Sequence, residues 1–394
     1  MLKNFLIEIL KKISDFNYSR IRRKLQKSKK INIVFLVSEN QKWSYEYLYK
    51  ELKNNPKFNL KILISYPRDL KQDEKSKQEF LKINYDFYSK ADTNIEFIYK
   101  DNKYESLKKH NPDIVFYEQQ WGLPLKYKPF FVSFYALTYF SCYGIQMFDF
   151  KEDYTKNFHY FLYKYLVDFK ENYNRFLSYN KKFIKNCVVV GYPKLDAYLN
   201  LKKSLRKNDK PTVIYSPHHS LFSELKTSTF LKNGEFILDL ANKTKNEVNW
   251  VFKPHPRLKY VLRDNNIASD ELIEGYYNKW SEIGKIFNEG NYFDLFLNSD
   301  ILITDCCSYL GEYHYTGNPV IRLVNSEAVE LNELGKNITK NYYNVKSNQE
   351  LNKVFYDLIS MYKENKFPKY DITVQKAAEN IVKLIQNDIS SYKI

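Results

Sequence analysis

Cysteine is scarce: Cys142, Cys187, Cys306 and Cys307 are the only four in 394 residues. They show neither metal-ligand spacing nor a disulfide framework, and adjacent Cys306 and Cys307 are poorly placed to pair with each other. A reducing, cytoplasmic setting is the simpler reading. No stretch approaches the roughly 18 uninterrupted apolar residues of a membrane span, and no cleavable signal is evident. Internal repeats of fixed short period and low-complexity tracts are absent, as are helix-turn-helix and RNA-binding signatures, so nucleic acid is not an expected partner. Histidine is rare too, with six in the whole chain.

Basic residues are plentiful. Lys and Arg total 62 against 46 for Asp and Glu, a formal charge of +16. That excess suits phosphorylated substrates or an acidic membrane surface. It decides little alone, because a chain this rich in Tyr, Phe, Asn and Ile also carries the mark of a biased composition. The length implies two domains.

Residues 1–29 read as a basic amphipathic helix. Leu2, Phe5, Leu6, Ile9, Leu10, Ile13 and Phe16 recur at three- and four-residue steps, with Lys3, Lys11, Lys12, Arg20, Arg22, Arg23 and Lys24 around and after them. Such a helix either lies in an acidic membrane interface or packs on its own domain. A first β/α series follows, with strands expected at 31–37, 60–65, 95–99 and 113–117 and helices at 44–53 and 75–89. Alternation of this kind implies a parallel sheet whose ligands sit at the carboxyl ends of its strands. Ser38 and Glu39 follow the first strand there, and Glu118, Gln119, Gln120 and Trp121 the fourth. The aromatic run 130–145 reads as buried chain near an interdomain cleft, 154–174 as helix and 187–190 as a last strand. The charged, unpatterned segment 201–211 is the best linker.

The second series has strands at 212–215, 249–253, 301–303 and 320–324. Helices are expected at 230–244, near 280–287, at 348–362 and at 374–389. Its organising unit is 291–323, NYFDLFLNSDILITDCCSYLGEYHYTGNPVIRL. Thr304 and Asp305 end the strand, and Asp305, Cys306, Cys307 or Ser308 caps a helix with body 309–316. Gly317 suits a left-handed position after it, and Pro319 forbids continuation. The first turn of such a helix favours an anion.

Three strand-ending turns are unusually polar: His218, His219 and Ser220; Lys253 and His255; Thr304, Asp305 and Ser308. In one parallel sheet all three face the same edge. Imidazole and ammonium beside a helix N-terminus would hold a pyrophosphate and stabilise charge on its departing half. His314 lies just after the third turn.

The segments YSPHHS (215–220), FKPHP (252–256), SDILITDCCS (299–308) and TGNPVI (316–321), preceded by GYPKLDAY (191–198), resemble the bacterial CDP-glycerol glycerophosphotransferase family of teichoic-acid and capsule polymer transferases. The resemblance implies a GT-B architecture, two Rossmann-like domains facing across a cleft. An acceptor domain would span 30–200, a donor-nucleotide domain 212–370, and a C-terminal helix 371–394, with the option of crossing back. It implies transfer of glycerol phosphate from CDP-glycerol to a hydroxyl of a surface polysaccharide or lipid-linked acceptor, releasing CMP. His255 and Lys253 would contact the donor phosphates. Thr304, Asp305, Cys307 and Ser308 would form the phosphate-binding turn, with His218, His219 and Ser220 lining the cleft and Glu312 a ribose ligand. His219 and His255 are the catalytic candidates. No cofactor is expected to be tightly bound and no metal cluster is visible; any Mg²⁺ would arrive on the donor phosphates.

The sequence departs from the family twice. Where polymerases show TDYSS it has Thr304-Asp305-Cys306-Cys307-Ser308, with a thiol in place of a hydroxyl. Where they show WHGTPLK, whose histidine is the proposed base, it has Gln120-Trp121-Gly122-Leu123-Pro124-Leu125-Lys126. Glu118 is then the first-domain acid–base candidate, or else a structural carboxylate at a strand end, with Glu39 as the alternative. Two other functions remain open: a GT-B glycosyltransferase using a CMP-sugar or another nucleotide sugar, and a non-catalytic membrane-associated binding protein.

Overall fold

Short apolar runs alternating with helices give two parallel sheets, one in each of two units. The computed structural model describes residues 2–70, 73–151, 157–179, 181–202, 209–288, 291–368 and 372–390. The first unit comprises Met1–Gly144, Lys151–Asp196 and Gln375–Ile394, and the second Ile145–Phe150 and Ala197–Val374. The chain therefore changes unit at Asp196–Ala197, ahead of the expected 201–211 linker, of which 203–208 lie outside the described residues.

In the first unit the strands are β1 (Ile31–Val37), β2 (Phe58–Ile64), β3 (Ile95–Phe97), β6 (Ile114–Tyr117), β7 (Leu137–Ser141), β8 (Lys164–Val167) and β9 (Cys187–Val189). A separate antiparallel pair, β4 (Tyr99–Lys100) and β5 (Lys103–Tyr104), follows β3. The seven-stranded sheet runs β3-β2-β1-β6-β7-β8-β9, parallel throughout. Its central strands are buried on both faces, which is why they read as continuous apolar runs. The aromatic 130–145 stretch is largely buried, as expected, and forms a short helix, Pro129–Val132, followed by β7. One expectation is corrected here. The 154–174 stretch, of which 154–156 are not described, is a helix at Asn157–Tyr160, then β8, then a helix at Lys170–Tyr179. KYLV is too short to show its own period between aromatic helices, and pairing on both sides with β7 and β9 makes it a strand.

The N-terminal helix, Leu2–Leu25, has a packed face of mixed polarity and an apolar stripe. Tyr18, Ile21 and Leu25 are buried with Ser14 and Asn17, and the Tyr18 hydroxyl donates to the Phe161 carbonyl at 2.7 Å. The opposite stripe is open to solvent: Phe5 is 67%, Leu6 55%, Ile9 40%, Ile13 39% and Phe16 72% exposed. The C-terminal helix, Ala377–Ile389, belongs to the first unit. Its first-turn amides, Ala377 and Ala378, donate to the Asp196 carboxylate at 2.9 and 2.7 Å, and Tyr139 donates to Asp388 at 2.9 Å.

The second unit's sheet contains β10 (Thr212–Ser216), β11 (Asn249–Phe252), β12 (Lys285–Ile286), β13 (Ile301–Thr304), β14 (Val320–Leu323) and β15 (Tyr343–Val345), in the order β12-β11-β10-β13-β14-β15. The helix at Phe230–Thr244 has the bounds read from sequence. The one expected near 280–287 is instead Asp270–Ile283, capped by Ser269 and followed by Gly284 and β12. At Gly284 an added Cβ would lie 2.2 Å from the Trp250 carbonyl, so a close backbone approach ends that helix. Gly317 takes φ +70°, stopping the Cys307–His314 helix as its sequence implied.

Candidate functional site

β10 lies between β11 and β13, so the turns that follow these strands leave the carboxyl edge side by side. Backbone and side-chain bonds then lock them together. The His255 N–H donates to the Pro217 carbonyl at 3.0 Å, and the Asp305 carboxylate accepts the His218 N–H at 2.6 Å. The result is a cluster of three imidazoles: His219 and His255 stack with ring centroids 3.9 Å apart, while His218 is tilted against His219 at 4.4 Å and edge-on to His255 at 5.0 Å.

Their hydrogen bonds decide what these rings offer. The Arg257 N–H donates to His255 Nδ1 at 3.1 Å, and a backbone amide can only donate, so the His255 proton sits on Nε2. At His218, Nδ1 lies 3.3 Å from the Ser220 N–H and 2.7 Å from Ser220 Oγ. That hydroxyl already accepts from the Thr227 and Ser228 amides at 3.1 and 3.2 Å, so its own hydrogen is the one left to give. His218 is thereby also an Nε2–H donor. Burial drives the His218 pKa down to about 3 and that of His219 down to about 4, and holds His255 well below its ordinary value, so the cluster is neutral at physiological pH. Ring nitrogens of the three lie within 4.8 Å of one another, a spacing that would admit a metal ion. A metal needs lone pairs, however, and on His218 and His255 the network leaves N–H groups at Nε2. Such a set suits an anion.

Several sequence candidates prove to be scaffolding. Asp305 is 2% exposed, and besides His218 it accepts the Thr229 amide and the Thr229 hydroxyl, the latter at 2.8 Å. Thr304 is fully buried; its hydroxyl donates to the Ser216 carbonyl at 2.6 Å and accepts the Cys306 N–H at 2.9 Å. The Ser220 hydroxyl is spent on His218, Thr227 and Ser228. These three position the site and present nothing further to a ligand. Ser308 and Cys307 open the Cys307–His314 helix, whose first-turn amides carry the positive end of its dipole. Burial pushes the Cys307 thiol up to about 12, so it stays protonated, 3.6 Å from the Thr227 hydroxyl.

Lys253, 4% exposed, holds its ammonium 4.7 to 5.2 Å from the ring centroids of Tyr292, Phe287 and Tyr309. Glu312 backs that box: it is fully buried and accepts the Tyr292 hydroxyl at 2.6 Å, which corrects the expectation of an open ribose ligand. His314, with its pKa lowered to about 4 by burial, packs beside Tyr315 and Tyr342 and not with the three clustered imidazoles. Glu118 belongs to the first unit and is fully buried. Burial pushes its pKa up to about 7, the direction expected of a carboxylate in an aromatic pocket, while its oxygens accept from Ser38, Glu39 and Tyr88, as the alternative reading of a structural carboxylate at a strand end has it.

Sequence reasoning missed Arg257 and Arg322. Arg257 is exposed, and its charge helps depress the pKa of His219 and His255. Arg322 pairs in register with Thr304, close enough to Cys307 to act on its thiol. The position of Arg257, two residues beyond His255, was the available signal. The 227–229 hydroxyl run was missed as well.

The family model for CDP-Glycerol:Poly(glycerophosphate) glycerophosphotransferase matches residues 17–327. Among curated proteins none matches. Of solved structures, a Neisseria meningitidis UDP-GlcNAc 2-epimerase bound to UDP-GlcNAc is similar at TM-score 0.60 and 13% identity, over 91% of this chain and 100% of the other. An S. aureus MnaA–UDP structure gives 0.58 and 13%, over 91% and 96%. A variant of the wall teichoic acid polymerase TagF soaked with CDPG gives 0.51 and 15%, over 98% and 95%. At these identities the structures speak to the fold, which is GT-B-like. The family match covers most of the chain, and the protein is a transferase that belongs to the CDP-glycerol:poly(glycerophosphate) glycerophosphotransferase family.

Proposed function

We propose that the second unit binds the diphosphate of CDP-glycerol, and that glycerol phosphate passes to a hydroxyl of a surface polysaccharide or lipid-linked glycan while CMP leaves. The observation that carries this reading is the meeting of three turns around neutral imidazole donors, with Lys253, Arg257 and Arg322 nearby and the Asp305 carboxylate occupied by backbone amides. Uncharged N–H donors fixed before the ligand arrives stabilise developing phosphate charge without reorganising. His255 and His219 then act by donating to the diphosphate, with Ser308 and Cys307 at the helix N-terminus beside it. No resident metal is required; Mg²⁺ would accompany the phosphates. Purified protein is expected to show a rise in melting temperature with CDP-glycerol and to release CMP when an acceptor is added. A shift with uridine or guanosine compounds but none with cytidine ones would overturn the donor, and turnover of a CMP-sugar in place of CDP-glycerol would overturn the reaction.

The exposed stripe on the N-terminal helix supports a cytoplasmic protein resting on the inner face of the membrane, as capsule or teichoic-acid assembly would need. Phe5, Leu6, Ile9, Ile13 and Phe16 lie open, with Lys12, Arg20, Arg23 and Lys24 exposed on the same helix. Apolar insertion and basic charge together favour acidic lipid. Sedimentation with vesicles containing phosphatidylglycerol is expected, with loss when Phe5 and Phe16 are both changed to Ser. Equal binding to neutral vesicles, or no effect of the double change, would sink the proposal.

A further inference from the structure

For a short stretch the chain leaves the first unit: 145–150 belong to the second, although 144 before them and 151 after them belong to the first. The segment is held there largely through its backbone. Phe148 forms an antiparallel bridge with Leu331, the Asp149 N–H donates to the Glu330 carbonyl at 2.8 Å, and the Asn332 N–H donates to the Met147 carbonyl at 3.0 Å. Asn332 serves twice more. Its side-chain NH₂ donates to the Gln146 carbonyl at 2.7 Å, while its side-chain oxygen caps the Glu333–Thr339 helix by accepting the Gly335 N–H at 2.8 Å.

What the segment packs on is the helix that opens at the phosphate turn. Gly311 lies in the middle of Cys307–His314, where glycine is the poorest helix former short of proline, so its presence calls for a packing reason. Met147 supplies one. A Cβ at Gly311 would lie 2.8 Å from Met147 Sδ and 3.0 Å from Ile145 Cδ1, and a Cβ at Gly335 would lie 2.2 Å from the Met147 carbonyl oxygen. Two helices therefore close on Met147 through glycines, and Ile145 and Met147 are both buried. One residue before Gly311, the Leu310 carbonyl accepts the Tyr342 hydroxyl at 2.6 Å. At the N-terminus Cys306 makes no side-chain cap bond, so the first-turn amides are not spent on one. Their place depends on how the body of the helix is seated.

We propose that 145–150 is a positioning strap: Met147, seated against Gly311 and Gly335, sets where the Cys307–His314 helix sits and thereby where its first-turn amides point. Met147 and Gly311 are positioning residues that act through the helix and touch no substrate. That the amides meet the donor diphosphate rests on the reading above; the seating of the helix does not.

The test is steric. Gly311→Ala drives a methyl group against Met147, and a helix displaced by a fraction of an ångström misplaces the donors it carries. The variant is expected to raise KM for CDP-glycerol about tenfold, within the range for a helix terminus acting on an anion, with kcat changed less than KM. Adding Met147→Ala removes the sulfur that the methyl strikes and is expected to bring KM back to within about threefold of wild type, a coupling that two independent defects would not show. Gly275→Ala is the control: in the Asp270–Ile283 helix an added Cβ there meets nothing within 4 Å, and KM should not change. A KM for Gly311→Ala within twofold of wild type overturns the strap, and so does a defect that Met147→Ala leaves undiminished. Should Gly311→Ala fail to fold, Met147→Ala alone carries the test: an emptied seat is expected to raise KM about threefold with kcat intact, and an unchanged KM overturns the strap. Inorganic pyrophosphate, titrated calorimetrically, separates this proposal from the donor reading. If CDP-glycerol does not bind wild type while pyrophosphate does, and Gly311→Ala binds pyrophosphate about tenfold more weakly, the donor reading fails and the strap stands.

Discussion

Changing His255 to Ala is expected to lower kcat/KM for CDP-glycerol by about 10²–10³, the usual cost of removing one fixed donor from developing phosphate charge. Fold loss is not the cause: the Arg257 amide loses its acceptor at a part-exposed site, worth about 1 kcal/mol. His255→Gln sharpens the claim. Its side-chain amide reaches as far as Nε2 and carries an N–H, so a share of the activity should return, whereas His255→Asn, whose amide stops nearer Nδ1, should behave like Ala. The pH profile carries the sign. With His218 lowered to about 3 and His219 to about 4, these rings are neutral from pH 8 down through 5 and contribute no inflection there. An imidazole acting as a base with its ordinary value would instead cost activity as pH falls through about 6.5. An acid limb near that pH in wild type, absent from His255→Gln, would show that the ring works by accepting a proton and not by donating a hydrogen bond.

That site is partly legible in the amino-acid sequence, for physical reasons. A parallel sheet sends the turns after its strands to one edge, so YSPHHS, FKPHP and TDCCS must emerge on the same side once β10, β11 and β13 share a sheet. Residue type does not reveal whether a polar group faces a ligand or its neighbours. Thr304, Asp305, Ser220, Glu312 and Glu118 all have the chemistry of ligands, yet each spends its oxygens inside the protein. The same limit hides β8: KYLV becomes a strand through partners on both sides, which no local pattern records. The N-terminal helix does carry apolar residues at three- and four-residue steps, but the face they mark is the exposed one. Its packed face runs through Ser14 and Asn17 to Tyr18, polar enough to escape a search for hydrophobic period.

Asp305→Ala is expected to be the most destabilising single change near the site, at about 2–5 kcal/mol for leaving two buried amides without acceptors. Three donors converge on this carboxylate: the His218 amide on one oxygen, and the Thr229 amide and hydroxyl on the other. Alanine leaves both amides buried without acceptors, and it unties the 217–220 turn from the start of the Phe230–Thr244 helix. Asp305→Asn separates charge from geometry. It keeps the volume but must turn its NH₂ toward one of two fixed amides, donor against donor, at about 1–3 kcal/mol. Burial pushes the native carboxyl up to about 6 even with these donors opposing it, so its ionised form is held by the amides and the Thr229 hydroxyl. Urea unfolding followed at Trp250 and Trp280, both in the second unit, measures the loss where it should occur. If Asp305→Ala were as stable as wild type but failed to bind CDP-glycerol, the carboxylate would be a ligand group after all. If instead donor affinity falls in proportion to stability across Ala and Asn, Asp305 acts by holding His218 in place, and the imidazoles are left as the groups that meet the phosphates.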